Sequence, residues 1–269
     1  TNQSFRMIIR PDIWGHQLRI RLSNAHGSKP ITFNEIFVGM QSMSSAILPG
    51  TNRQLHFSNS DTVTIEAGQW SVSDPVTLDF ITNPSDPLLT GRTIAVSFHV
   101  SGNTGPMTYH AKALQTSYLS EPNATDVCSA QEEAGFPYST TSWFFLDAVD
   151  MNMTAPTRVI VAFGDSISDG SGSTINGYDR WPDVISRKLH AKYGVAAFPL
   201  DYPNAWDRFN ERTGYGIWLH GTEPGWINRG PRASEGCLTL SNSDFEQLLI
   251  QLGSHQDLSL IHISEPTRL

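Results

Sequence analysis

Over the first 150 or so residues, apolar positions recur every second residue in short runs broken by Gly, Pro, Asn and Ser. Leu18, Ile20 and Leu22 alternate with Arg19 and Arg21, the period of a strand with one face buried. The turn Asn24-Ala25-His26-Gly27 follows. Ile31 and Phe33 then open a strand that is followed by Ile36-Phe37-Val38-Gly39. Thr62-Val63-Thr64-Ile65 alternates and stops at Ala67-Gly68. Ile94, Val96 and Phe98 fall on one face of a further strand, with Ala95, Ser97 and His99 on the other. Met107-Thr108-Tyr109-His110 and Ser142-Trp143-Phe144-Phe145-Leu146 have the same character. No helical period of useful length precedes residue 178. Many short strands separated by turn residues predict a β-sandwich.

After Pro156 the pattern changes. Val159 to Phe163 is a continuous apolar run, as expected of a parallel strand buried on both faces. Gly164 to Asn176 reads as a Gly/Ser-rich loop. Trp181 to Tyr193 predicts an amphipathic helix, with Trp181, Val184, Ile185 and Leu189 on one face and Arg187, Lys188 and Lys192 outside. Pro182 suits its first turn. Strand, loop and helix open an α/β unit, but no further strand–helix repeats follow. Residues 196–242 are rich in Gly, Pro, Trp and Asn, with one short strand expected at Gly216-Ile217-Trp218-Leu219-His220. A last helix is predicted over Asp244 to Leu252, capped by Ser243 or Ser241. The fold class is therefore mainly β plus α/β.

Charge narrows the function classes. Of 269 residues only 16% are charged, and the formal net charge is −8, which argues against nucleic acid as a partner because phosphates need a basic patch. No window approaches the ~18 apolar residues of a membrane span. The chain opens at Thr1 without a charged and apolar leader, and is read as a fragment whose start lies upstream. Cys128 and Cys237 sit in unlike surroundings and are not expected to pair. No Cys/His spacing suits zinc, so neither metal nor cofactor is expected.

Two clusters carry candidate chemistry. In the first, Gly164-Asp165-Ser166 follows the apolar run and precedes the loop and helix. That order sets a serine hydroxyl at the C-terminal edge of a parallel sheet, where α/β folds build sites. Gly164 permits a tight turn, and backbone N–H groups after it can face an oxyanion. The string Val161-Ala162-Phe163-Gly164-Asp165-Ser166-Ile167-Ser168-Asp169-Gly170, followed by Arg180-Trp181-Pro182-Asp183, resembles the first block of GDSL/SGNH esterases. Leu18 to Asn24, Leu114 to Tyr118 and Thr141 to Leu146 resemble a subgroup with an N-terminal β-domain. The resemblance covers about residues 4–190. It implies Ser166 as nucleophile and oxyanion donor, with Asp165 and Gly164 beside it, acting on an acyl ester or acetylated glycan. It also implies a later Gly, an Asn and an Asp-x-x-His, none of which is present downstream. Asp257 and His262 have the wrong spacing. A triad serine without its histidine loses nearly all activation, so the esterase is expected to be inactive.

The second cluster is His220-Gly221-Thr222 with Ser234-Glu235-Gly236-Cys237. A cysteine is a good nucleophile as thiolate, and a neighbouring His favours that form. Gly236 would let backbone approach a reacting carbonyl, and Arg232 could hold a substrate carboxylate. Phe198 to Asn204, Gly216 to Thr222 and Pro231 to Asn242 resemble the catalytic core of bacterial L,D-transpeptidases, over about residues 192–252. That resemblance implies Cys237 as nucleophile, His220 as base, the Gly221 carbonyl orienting His220, and Ser234 and Gly236 lining the substrate. The implied partner is a peptidoglycan stem peptide. Glu235 stands where that family often has His.

The expected domains are a β-sandwich over 1–155, the start of an SGNH-type α/β domain over 156–192, a partial L,D-transpeptidase segment over 193–253 and a non-native tail over 254–269. The seam between the two resemblances falls within Leu189 to Val195, without a linker, and divides two cores that evolved fusions normally keep whole. It is read as the junction of a chimeric reading frame. The parent proteins are expected to be secreted, periplasmic or in the cell envelope. A third expectation is a fragment without catalysis, whose β-sandwich at most binds a ligand such as a glycan.

Overall fold

A computed structural model describes residues 2–153, 162, 164–193, 197–199, 208–209, 218–222 and 238–252. The protein is mainly β and builds several sheets. The chain divides into two compact units. One holds Thr1–Thr154 with Ala162–Trp181, and the other holds Ala155–Val161 with Pro182–Leu269.

The first unit contains strands β1 (Gln3–Ile9), β2 (Gln17–Ser23), β3 (Ile31–Met40), β4 (Arg53–Gln54), β5 (Thr62–Ile65), β6 (Trp70–Val72) and β7 (Val76–Thr77). It continues with β8 (Ile94–Val100), β9 (Tyr109–His110), β10 (Ser117–Leu119), β11 (Tyr138–Thr140), β12 (Trp143–Phe144) and β13 (Leu146–Asn152). The larger sheet runs β11-β10-β1-β8-β3-β4, with β5 also on β3. The smaller runs β13-β2-β6, with β7 also on β2. Every pairing in these two sheets is antiparallel.

Alternation explains how the sheets share a core. Leu18, Ile20 and Leu22 of β2 are buried in one cluster with Phe5 and Met7 of β1, Phe33 and Val38 of β3, and Val96 and Phe98 of β8. Arg19 and Arg21, one residue out of phase, reach solvent and pair with Asp150 at 2.9 Å and Asp147 at 2.6 Å across the β2–β13 ladder. At the centre Phe145 packs its ring against Phe5, Phe33 and Phe98, with centroids 5.8, 5.3 and 6.3 Å away. Its backbone sits at φ 57°, a conformation that a bulky side chain rarely adopts. Two backbone bonds hold it there: its N–H donates to Thr108 O at 3.0 Å, and its O accepts from Ser23 N at 2.8 Å. The run Ser142 to Leu146, expected as one strand, is thereby split between β12 and β13.

Strand β8 also differs from its expected one-sided pattern, because all seven of its residues are buried. Loops cover its second face. Ile8 and Ala95 pack there with Ile47, and Ile47 N donates to Gln131 O at 2.8 Å. Beneath these loops Arg6 is fully buried. Its guanidinium donates to Ser97 Oγ at 2.8 Å, Ser45 O at 2.6 Å and Ala130 O at 2.6 Å, and its carbon lies 4.0 Å from the Phe136 ring centroid. Burial pulls its pKa down to about 10, leaving it a cation at neutral pH. Ser4 Oγ and His99 Nδ1 are 2.8 Å apart, and His99 Nε2 lies 3.1 Å from Asn2 Oδ1. The buried side chains of Arg6, Ser4 and His99 thus find partners on this face. Cys128 is buried as a free thiol.

In the second unit, helix α1 (Trp181–Tyr193) matches its expected bounds, although it begins with the last residue of the first unit. Its apolar stripe is only partly covered: Trp181 is 46% and Ile185 44% exposed. A three-stranded sheet follows, of β14 (Ala197–Pro199), β15 (Trp218–Thr222) and β16 (Leu238–Ser241), in the order β14-β15-β16. Helix α2 (Asn242–Leu252) comes directly after β16.

Candidate functional site

The apolar run Val159 to Phe163 lies outside the described residues except for Ala162, which is exposed. Gly164, Asp165 and Ser166 are described, and all three are exposed. A Cβ at Gly164 would collide with Ser168 Oγ, so this turn needs glycine for space. Asp165 serves the turn itself: Oδ1 accepts from Ile167 N at 2.9 Å, and its carbonyl accepts from Asp169 N at 3.0 Å. Ser166 O accepts from Ser171 N at 2.8 Å. Among the described residues no histidine is hydrogen-bonded to the Ser166 hydroxyl.

This loop is fastened mainly to the segment between β9 and β10 of its own unit. Asn176, at φ 60°, donates its backbone N–H to Leu114 O at 2.8 Å and its Nδ2 to Thr116 Oγ1 at 2.8 Å. Its Oδ1 accepts from Thr116 N at 2.7 Å. Arg180 Nη2 donates to Ala113 O. The Arg10 guanidinium carbon lies 3.7 Å from the Tyr178 ring centroid. Asp169 Oδ2 meets His110 Nε2 at 2.8 Å. Sequence reasoning missed His110 and Asp169, because their 59-residue separation leaves no local signal.

The second cluster is built on β15. Its strand covers Trp218–Thr222, two residues beyond the expected end at His220, with Gly216 and Ile217 outside the described residues, so His220 and Gly221 lie inside the ladder. The reason is the partner strands. β14 runs antiparallel, with Ala197 opposite His220. β16 runs parallel, with Leu219 beside Leu238, His220 beside Thr239 and Gly221 beside Leu240. β16 was not expected, although Leu238-Thr239-Leu240-Ser241 carries the alternation that would have signalled it. Arg232, Ser234, Gly236 and Cys237 lie outside the described residues. Cys237 immediately precedes β16 in the sequence.

Helix α2 closes over the His-Gly peptide. Ser241 is its N-cap: Oγ accepts from Asp244 N at 3.0 Å and donates to Asp244 Oδ2 at 2.6 Å. The helix begins at Asn242, two residues before the expected start. Phe245 is fully buried. A Cβ on Gly221 would stand 2.5 Å from Asn242 Oδ1 and 3.4 Å from Phe245 Cδ1, so a larger residue at 221 would displace the Asn242 carboxamide. Asn242 and Phe245 were not singled out from the sequence.

Among the described residues no group of three or more His, Cys, Asp or Glu could hold a metal, and no helix is long and apolar enough to cross a membrane. No curated protein matches the chain at a significant level. Residues 142–255 match the family model of the L,D-transpeptidase catalytic domain, YkuD. The match starts well upstream of residue 192, where the transpeptidase resemblance was expected to begin, and it crosses the expected seam. His220, Gly221, Cys237 and the α2 residues against Gly221 all fall within this L,D-transpeptidase match.

Proposed function

We propose that the chain carries an acyl-transfer site of the L,D-transpeptidase type, with Cys237 as nucleophile and His220 as base, acting on a peptidoglycan stem peptide in the cell envelope. The supporting observation is the family match over 142–255 together with the parallel pairing that sets His220 beside Thr239. Cys237 directly precedes in sequence the strand that pairs in parallel with the one carrying His220. In the first half-reaction Cys237 Sγ gives its proton to His220 and attacks the donor carbonyl. The C–N bond breaks, and the leaving amine takes the proton from His220. In the second, an acceptor amine attacks the thioester, its proton passes to His220, and Cys237 is released. On this reading Arg232 suits a substrate carboxylate, with Ser234 and Gly236 assigned to substrate binding. The test is acylation by a carbapenem read by intact mass. One adduct on the full chain, lost in Cys237→Ala, is expected. An unmodified chain, or an adduct that survives the substitution, refutes the reading.

A second reading, a GDSL/SGNH-type ester hydrolase, draws on the exposure of Ser166 on its glycine turn, with the His110–Asp169 pair in the same unit. It predicts p-nitrophenyl acetate turnover abolished by Ser166→Ala; turnover unchanged in that variant rejects it. On this reading the chain joins parts of two proteins, and source DNA continuous across residues 185–200 in a long read would remove the junction. Loss of both signals leaves the β-sandwich as a binding fragment.

A further inference from the structure

We infer that Asn242 is a positioning residue for the His220 base, acting through Gly221; the inference rests on the transpeptidase reading above. Gly221 is buried, and the Asn242 carboxamide occupies the space where any side chain at 221 would go. The register explains how it arrives there. Thr222 lies beside Ser241, so the strand neighbouring His220 ends level with Thr222, and its next residue begins α2.

Two features fix that first turn. Ser241 caps it through Asp244 and lies 3.0 Å from Ser243 Oγ, and Phe245, one turn on, is fully buried. The cap fixes the Asn242 backbone, so its half-buried side chain starts from a set position beside Gly221. A carboxamide carries both donors and an acceptor, matching the N–H and C=O groups of the peptide it presses on. The Gly221 carbonyl is the group expected to orient His220. Asn242 therefore controls the base at one remove, without touching substrate.

This role separates from simple stability by its signature. Misplacing a base slows the chemical step while leaving substrate binding alone. In the full chain, Asn242→Ala is expected to lower the rate constant of Cys237 acylation by a carbapenem about tenfold. The concentration for half-saturation should hold, and the pH–rate profile should move. The His220 ring, followed by 1H–13C NMR and assigned with His220→Gln, should titrate at a displaced midpoint. Gly221→Ala, which pushes the carboxamide aside, should produce the same two changes, and the double variant should be no worse than either single one. Asn242→Ser retains a residue favoured at helix starts and guards against loss of the helix. Gln247→Ala, exposed on α2, should leave both readouts at their starting values. An unchanged His220 titration in Asn242→Ala and Asn242→Ser overturns the inference. A chain whose Cys237 is not acylated, but whose His220 titration still moves in Asn242→Ala, overturns the transpeptidase reading and leaves the positioning role standing.

Discussion

Replacing Arg6 by Met tests how the first unit holds its larger sheet to the loops above it. The linear Met side chain keeps much of the volume but strands the acceptors Ser97 Oγ, Ser45 O and Ala130 O, which now lie 2.6–2.8 Å from the guanidinium. Hydrogen bonds from a charged donor contribute roughly 1.5–3 kcal/mol each, so three of them give about 6 kcal/mol. Against this stands the cost of keeping a cation out of water. Burial pulls the Arg6 pKa down to about 10, which at about 1.4 kcal/mol per pH unit is a cost of roughly 3 kcal/mol. The difference favours Arg6 by about 3 kcal/mol, or two decades in an opening equilibrium. Hydrogen exchange on the full chain reads this directly. The amides of Ser97 and His99, in the strand beside Arg6, should exchange about a hundredfold faster in Arg6→Met. Protection within threefold of the starting protein would mean that the relieved charge compensates the stranded carbonyls, and the reasoning would fail.

Two further outcomes follow from the same unit. Burial and the neighbouring Asp126 carboxylate raise the Cys128 thiol pKa well above its ordinary 9.0. The native thiol should therefore resist iodoacetamide at pH 8 and react only on unfolding. A folded-state pKa above the unfolded one gives stability that is complete below pH 9.0 and declines as pH rises further; Cys128→Ala should flatten that alkaline decline, and an equally steep decline counts against the assignment. For the loop carrying Ser166, Asn176→Ala removes two side-chain hydrogen bonds at a left-handed position and should speed exchange at Asn176 and Thr116 by about tenfold or more. His110→Ala removes only a half-exposed ion pair, worth no more than about 1 kcal/mol, so a larger effect from His110 than from Asn176 would reverse the ranking.

Elements whose signal is local were legible in the sequence. The period-two runs of β2, β5 and β8 and the 3.6-residue period of α1 come from neighbours a few positions apart, and the α1 bounds agree at both ends. The His-Gly and Ser-x-Gly-Cys strings fall within the family match. Phe145 shows where that reading stops. Nothing in Trp143 to Leu146 reveals the backbone reversal at its centre, which is held by groups at Thr108 and Ser23.

The sequence by itself determined a mainly β chain with alternating faces and a helix from Trp181 to Tyr193. Those are properties of residue type and short spacing. Tertiary structure alone decided that both faces of β8 are covered and that the Ser166 loop is pinned by Leu114 and Thr116. It also decided that Asn242 presses on Gly221. Each of these depends on residues brought together by long-range pairing and packing, where the separating chain length carries no record of the contact.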